Sequence, residues 1–251
     1  MGKANIKSAQ EIEYMREGGK ILATIIKEVG EKIAPGVTTL ELDEYSIELC
    51  KKYNVKPAFL GYMGYPNALC VAVNDEVVHG IPNQRKIKEG DIVSIDMGVV
   101  HKGLITDHAK TVAVGDIPKV AEKLMRATED AMYAGIDQAI DGNRTGDIGH
   151  AMQTVIERAG FNVSRDLVGH GVGFKVHEEP QIPGYGTPNK GDLLRKDMTI
   201  AIEAIVTEGD WEIEFDQEDG WTTRTMDGRL ACLFEHTLVV GNDEPEILTL
   251  C

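Results

Sequence analysis

Four acidic residues sit where acids are costly. Asp96 lies in DIVSIDMGVV, Asp107 in GLITDHAKT, Glu203 in MTIAIEAIV and Glu235 in LFEHTLVV. Each of these apolar, β-branched runs reads as a largely buried strand. A carboxylate taken out of water needs a partner. Ion pairing satisfies one such acid; four of them on separate strands point to a shared cation held by hard oxygen ligands. Asp96 and Asp107 are eleven residues apart around Val100-His101-Lys102-Gly103. A hairpin closing Val100 on Gly103 sets the two aspartates directly opposite each other, and a bulge at Gly103 shifts that register by one residue. Two carboxylates that close repel unless a cation lies between them. The alternative is a surface hairpin with two solvated acids.

Histidines add nitrogen to this oxygen set. His170 and His177 stand seven apart in VGHGVGFKVHEEP, whose glycines allow close backbone approach to a site. His79 follows an apolar run and precedes a turn in VVHGIPN. The other four read as structural: His101 in a turn, His150 on a helix, His108, and His236, which alternation turns to the face opposite Glu235.

The elements that must position these groups are legible as punctuation. Ser8-Ala9-Gln10-Glu11 and Thr38-Thr39-Leu40-Glu41 are capping boxes. They predict helices running to about Ile33 and Tyr53. A loop rich in Gly and Tyr, Gly61 to Pro66, leads to strands over 68–73, 91–100 and 104–114. The pattern then restarts. A helix is predicted from Pro118 to about Ile140 and another capped by Thr145 and ended by Gly160. Strands follow over 163–168, 198–206 and 233–240. Helix–helix–strands thus occurs twice. The expected fold is α+β: one domain, residues 1–251, with pseudo-symmetric halves of about 1–115 and 116–251 around a central antiparallel sheet.

Composition narrows the function classes. The 251 residues carry 26 Lys and Arg against 41 Asp and Glu, a net charge of −15, which argues against nucleic acid as a substrate. The chain is 42% hydrophobic, enough for a sizeable core. No run approaches the roughly 18 apolar residues of a membrane span. The opening MGKANIKSAQEIEYMREGGK has no apolar leader core. Cys50, Cys70, Cys232 and Cys251 form no CxxC pair and read as reduced thiols, so a cytoplasmic location is expected.

With these segments in hand, the chain resembles the type I methionine aminopeptidases in their short bacterial form. The likeness runs from the first helix to the closing EILTL. The motifs that carry it are SIDMGVV, GLITDHAKT, VGHGVGFKVHEEP, AIEAIV, FEHTLVV and VVHGIPN. The resemblance implies the pita-bread fold and removal of the N-terminal methionine from nascent proteins and peptides. It places metal ligands on Asp96, Asp107, His170, Glu203 and Glu235, and non-ligand catalytic histidines on His79 and His177. Two divalent ions are implied, and one His with four carboxylates suits cobalt, manganese, iron(II) or zinc alike. Asp107 and Glu235 would lie between the ions, Asp96 on one, and His170 with Glu203 on the other. A hydroxide shared by the ions would attack the peptide bond, with Glu203 as proton acceptor. His177 would stabilise the oxyanion and His79 the scissile amide nitrogen. Phe59, Tyr62, Tyr65, Cys70 and Trp221 are the candidates for the slot that takes the first residue; packing in the core is their alternative role.

The chain departs from the family's usual pattern at several positions. His108 stands where Thr or Ser is usual, Ala204 where Pro is, and Cys232-Leu233-Phe234 where Ala-Gln-aromatic is. Val176 replaces Phe, and Phe59 replaces a small Cys. A divergent paralogue is therefore one alternative. Others are a proline-specific aminopeptidase or prolidase, which usually carry a further N-terminal domain, and a metal-free pita-bread binding protein, whose mark is ligand loss. The expected partners are polypeptide N-termini and, transiently, the ribosome; the expected state is a monomer with no membrane association.

Overall fold

Local hydrogen bonding fixes the helix starts. In the computed structural model, which describes residues 4–251, α1 spans Ala9–Lys32 and α2 Thr39–Lys52. Both capping boxes form. The Glu11 carboxylate accepts from the Ser8 amide at 2.7 Å, and that of Glu41 from the Thr38 amide at 2.7 Å. The third helix, α3, covers Lys119–Ile136, four residues short of the predicted end at Ile140. Tight turn bonds from Gln138 to Gly135 and Ala139 to Ile136 close it early. The fourth, α4, covers Thr145–Arg158. Arg144, not Thr145, is its N-cap, because the Asp147 carboxylate takes the Arg144 amide while the Thr145 hydroxyl accepts from Asp192. Gly160, at φ +83°, lies just past its end.

Among the described residues there are twelve strands, numbered in chain order: β1 (Lys56–Pro57), β2 (Cys70–Val73), β3 (Ile92–His101), β4 (Leu104–Ala113), β5 (Asn162–Val163), β6 (Val168–Gly171), β7 (Glu178–Pro183), β8 (Thr199–Thr207), β9 (Ile213–Phe215), β10 (Thr223–Thr225), β11 (Ala231–Val239) and β12 (Glu246–Ile247). Ten form one antiparallel sheet in the order β1-β3-β4-β11-β8-β6-β7, with β2 also on β3, β5 on β8 and β12 on β11. Strands β9 and β10 form a separate hairpin. The single strand expected over 163–168 is two short ones, since β5 and β6 attach at different places along β8. Strands β1, β9, β10 and β12 have only two or three residues each and β7 is rich in Glu and Pro, and none of them was expected.

Alternation decides which face is covered. Val93, Ile95, Met97 and Val99 of β3 pack with Leu22, Ile25, Ile26 and Val29 of α1 and Leu42 of α2. Ile200, Ile202 and Ala204 of β8 and Phe234 of β11 pack with Leu124 and Met132 of α3 and Ile148 and Met152 of α4. Each such fully buried large side chain contributes about 1.5–3 kcal/mol. The intervening residues, Asp96, Asp107, Glu203 and Glu235 among them, project from the other face.

The β3–β4 hairpin differs from the expected register. The turn is Lys102-Gly103, at φ +50° and +84°, and it closes His101 on Leu104. Those dihedral signs are the primed-turn solution that suits strand twist. His101 is consequently the last strand residue rather than a turn residue. Asp96 pairs with Ala109, and Gly98 with Asp107. The two aspartates are diagonal neighbours on one face instead of direct partners, still within reach of a common ion.

Candidate metal centre

Strand order turns five scattered residues into one cluster. Moving across β3, β4, β11, β8 and β6, each strand supplies one candidate ligand: Asp96, Asp107, Glu235, Glu203 and His170. Register aligns them. Asp96 faces Ala109, Ala109 faces Glu235, and Glu235 faces Glu203. His170 pairs with Ala201, two residues from Glu203 and therefore on the same face. Asp107 lies two residues along β4 from Ala109, where the Thr237 hydroxyl accepts from its amide at 2.8 Å and donates to its carbonyl at 2.7 Å.

Asp107, His170 and Glu235 are all buried, and each offers a donor atom within 4.8 Å of the others. Nδ1 of His170 donates to the Gly171 carbonyl at 2.9 Å, which leaves the Nε2 lone pair free for a cation. Only four buried side-chain polar atoms among the described residues lack a hydrogen-bond partner, and two of them are Oδ1 of Asp96 and of Asp107. Orphaned buried oxygens beside two further acids and an imidazole fit a divalent cation.

The electrostatics agree. Burial, and then the charge of Asp107, push Asp96 and Glu235 well above the usual carboxylate range. Burial likewise raises Glu203 to about 8, and Asp107 to about 7 against the opposing His108 amide. Burial lowers His170 to about 3 and His79 to about 4, with His177 adding to both, and burial alone lowers His177. Without a cation the acids hold protons and the imidazoles are neutral; a divalent ion reverses the first and requires the second.

A cavity of about 220 Å³ joins the acids to an apolar wall. All twelve residues singled out from the sequence line it: Asp96, Asp107, His170, Glu203, Glu235, His79, His177, Phe59, Tyr62, Tyr65, Cys70 and Trp221. Met63 and Val176 also line it. Met63 was not singled out, although it sits inside the Gly61–Pro66 loop. Phe59, Tyr65, Cys70 and Val176 form a buried cluster with Tyr62 and Trp221 against it. The Tyr62 hydroxyl lies 3.1 Å from Nδ1 of His177, and the His177 ring meets that of His170 edge-on at 4.4 Å. A second, wider space of about 620 Å³ opens on the other side of His79, His170, His177 and Glu203. The remaining histidines lie elsewhere. His108 and His236 stack at 4.6 Å on the covered side of the sheet, His101 bonds Glu17, and His150 is exposed on α4. No helix among the described residues is long and apolar enough to cross a membrane.

Comparison with known proteins points the same way. The profile of metallopeptidase family M24 matches residues 13–242. A methionine aminopeptidase of Clostridium acetobutylicum is 42% identical over 247 residues, covering 98% of both chains. Methionine aminopeptidase 1 of Bacillus subtilis is 43% identical over 97% of this chain and 98% of its own. The crystal structure of a methionine aminopeptidase from Thermotoga maritima superposes with a TM-score of 0.96 at 48% identity, covering 98% of this chain and 99% of that one. A prolidase from Pyrococcus horikoshii shares the fold at 23% identity and a TM-score of 0.78, but this chain covers only 63% of it. Matched by the family profile over residues 13–242 and aligned over 97–98% of its length with these three methionine aminopeptidases, the chain belongs to metallopeptidase family M24, in its methionine aminopeptidase branch.

Proposed function

We propose that this protein removes the N-terminal methionine from peptides and nascent proteins. The observation that carries the reading is the junction of two features in one cavity: the acid and imidazole cluster, and an apolar slot beside it. Asp96, Asp107, His170, Glu203 and Glu235 would hold two divalent cations. Asp96 and Asp107 come from the first half, about 1–115, and the other three from the second, about 116–251, so we take residues 1–251 as one catalytic domain. Bound there, such ions supply Lewis-acid polarisation and make water acidic enough to attack at neutral pH. Glu203 accepts the proton of the attacking water. His177 donates from Nε2 to the oxygen that gains charge; a Tyr62 hydroxyl donating to Nδ1 fixes that tautomer. His79 hydrogen-bonds the leaving nitrogen.

The slot is lined by Phe59, Tyr62, Met63, Tyr65, Cys70, Val176 and Trp221. An unbranched thioether suits such an aromatic-edged space. The loop at 61–66 restricts the second substrate residue to Gly, Ala or Ser, since a larger one would have to displace that loop, whose Tyr65 is anchored in the buried cluster. A Met-X-Ser peptide series with X from Gly to Trp tests this. A flat profile, or preference for a Pro-second peptide without Met, moves the protein to one of the other pita-bread peptidases, a proline-specific aminopeptidase or a prolidase.

A further inference from the structure

His79 is held in an unusual place. Its φ is +57°, a left-handed conformation that a residue with a side chain seldom adopts, and the next residue packs so closely that a Cβ on Gly80 would lie 2.2 Å from the Val71 carbonyl oxygen. The segment around it belongs to no strand of the main sheet. It is strapped to the β9–β10 hairpin. The Val77 amide donates to the Thr223 carbonyl at 2.8 Å, the Thr223 amide to the Val78 carbonyl at 3.1 Å, and the Thr225 amide to the Asp75 carbonyl at 3.0 Å. The Ile81 amide donates to the Thr222 hydroxyl at 3.2 Å.

An ionic clamp lies under these straps. Arg224 of β10 reaches Asp75 with Nη1 at 3.1 Å, Glu76 with Nη2 at 2.9 Å, and Asp216 with Nε at 3.5 Å. Glu76 is buried and also accepts from Arg85 at 2.8 Å and from the Val73 amide at 2.8 Å. Glu76 is three residues before His79, and Arg224 three residues after Trp221. Trp221 stands edge-on to His79 at 6.4 Å and to Tyr65 at 5.2 Å, and its amide is held by the Asp219 carboxylate at 2.8 Å. One guanidinium therefore ties the strand that follows the slot-wall Trp221 to the loop that presents the histidine.

We propose that Arg224 is a positioning residue, which through Glu76 and Asp75 sets the placement of His79 against Trp221 and thereby both turnover and first-residue selectivity. The proposal rests on the aminopeptidase reading for its kinetic arm only. Arg224 makes no hydrogen bond or ion pair to Asp96, Asp107, His170, Glu203 or Glu235, so its loss leaves metal binding intact. A planar fork holding three carboxylates is not replaced by an ammonium, so lysine restores part of the effect and glutamine none.

The experiment compares the wild type with Arg224→Gln, Arg224→Lys and Asp75→Asn. Three readouts are taken: manganese bound per chain, amide hydrogen exchange at Val77, Thr223 and Thr225, and kcat and KM on Met-Ala-Ser and Leu-Ala-Ser. For Arg224→Gln the expected result is at least 10-fold faster exchange at those amides. Its kcat falls about 10- to 100-fold from misplacement of His79. The Met-over-Leu ratio narrows several-fold, and manganese stoichiometry is unchanged. Arg224→Lys and Asp75→Asn, which leave part of the clamp, fall between and stand in should Arg224→Gln fail to fold. Wild-type exchange and selectivity in Arg224→Gln, or loss of manganese from it, overturns the proposal. If the wild type releases no Met from Met-Ala-Ser, the aminopeptidase reading fails, and the exchange arm still decides whether Arg224 clamps the two segments.

Discussion

Metal-free protein should lose stability as pH rises from 6.5 to 8. Burial holds Glu203 at about 8 in the folded chain, with the Asp107 charge adding to it, whereas an exposed glutamate ionises near 4. Between those values the folded state binds a proton that the unfolded state has released, so stability falls with rising pH. The window must start above the ordinary imidazole value. His79 and His108 are lowered to about 4 by burial, and His170 and His236 to about 3, so below roughly pH 6.5 they stabilise with rising pH and oppose the acids. Across the remaining 1.5 pH units, one proton at about 1.4 kcal/mol per unit gives about 2 kcal/mol from Glu203. Asp96 and Glu235, also raised, add with the same sign. For a chain of this length that corresponds to a fall in Tm of about 4–8 °C from Glu203 alone. The assay is thermal unfolding of chelator-stripped protein at pH 6.5, 7.25 and 8, with and without manganese. The ion should restore stability most at pH 8, where its ligands are most readily deprotonated. Glu203→Gln should remove part of the slope. A metal-free Tm that is flat or rising over this window, or the same slope with and without manganese, refutes the reasoning.

Three further outcomes are expected. His177→Ala should keep its metal and lose roughly 10²–10³ in kcat, as for other lost oxyanion donors; metal loss measured in the purified variant would make His177 a ligand instead. Gly80→Ala should destabilise by about 1–3 kcal/mol, because the added Cβ meets the Val71 backbone, and urea unfolding with an unchanged midpoint would contradict that packing. Asp43→Ala should also destabilise, by about 1–3 kcal/mol for each amide left without an acceptor. Asp43 accepts from the Ala68 and Leu69 amides at 2.9 Å and from Asn67 at 2.7 Å, and a Tm within a degree of wild type would show those bonds to be dispensable.

The elements with local signals were readable from the chain. Ser8 and Thr38 mark their helices because a capping box is complete within four residues. The long strands β3, β4, β8 and β11 declare themselves by β-branched runs interrupted by a single acid each. Long-range partners are what the chain does not spell out. Arg144 displaces Thr145 as a cap because Thr145 is engaged by Asp192, 47 residues on. The Asp96–Asp107 offset depends on whether Lys102-Gly103 or His101-Lys102 makes the turn, and positive φ at two consecutive residues favours the pair containing glycine at its second position. The short strands β9 and β10 have too few residues to show a period, so the hairpin that carries Trp221 and Arg224 had no signal beyond its Asp219-Gly220 turn. The site residues were legible as oddities, acids in apolar strands and histidines among glycines. Their assembly on five adjacent strands is a consequence of the β3-β4-β11-β8-β6 order, which no local pattern encodes.

The most direct measurement is release of free methionine from Met-Ala-Ser by chelator-stripped protein, before and after addition of manganese, cobalt, iron(II) or zinc, run beside Asp107→Ala with bound metal counted in both. Negligible release when stripped, recovery with at least one ion, and loss of both bound metal and turnover in Asp107→Ala are the predicted results. Methionine release that survives stripping, or an Asp107→Ala protein that retains its ions and near-normal turnover, would contradict the assignment of this cluster as the metal centre of an aminopeptidase.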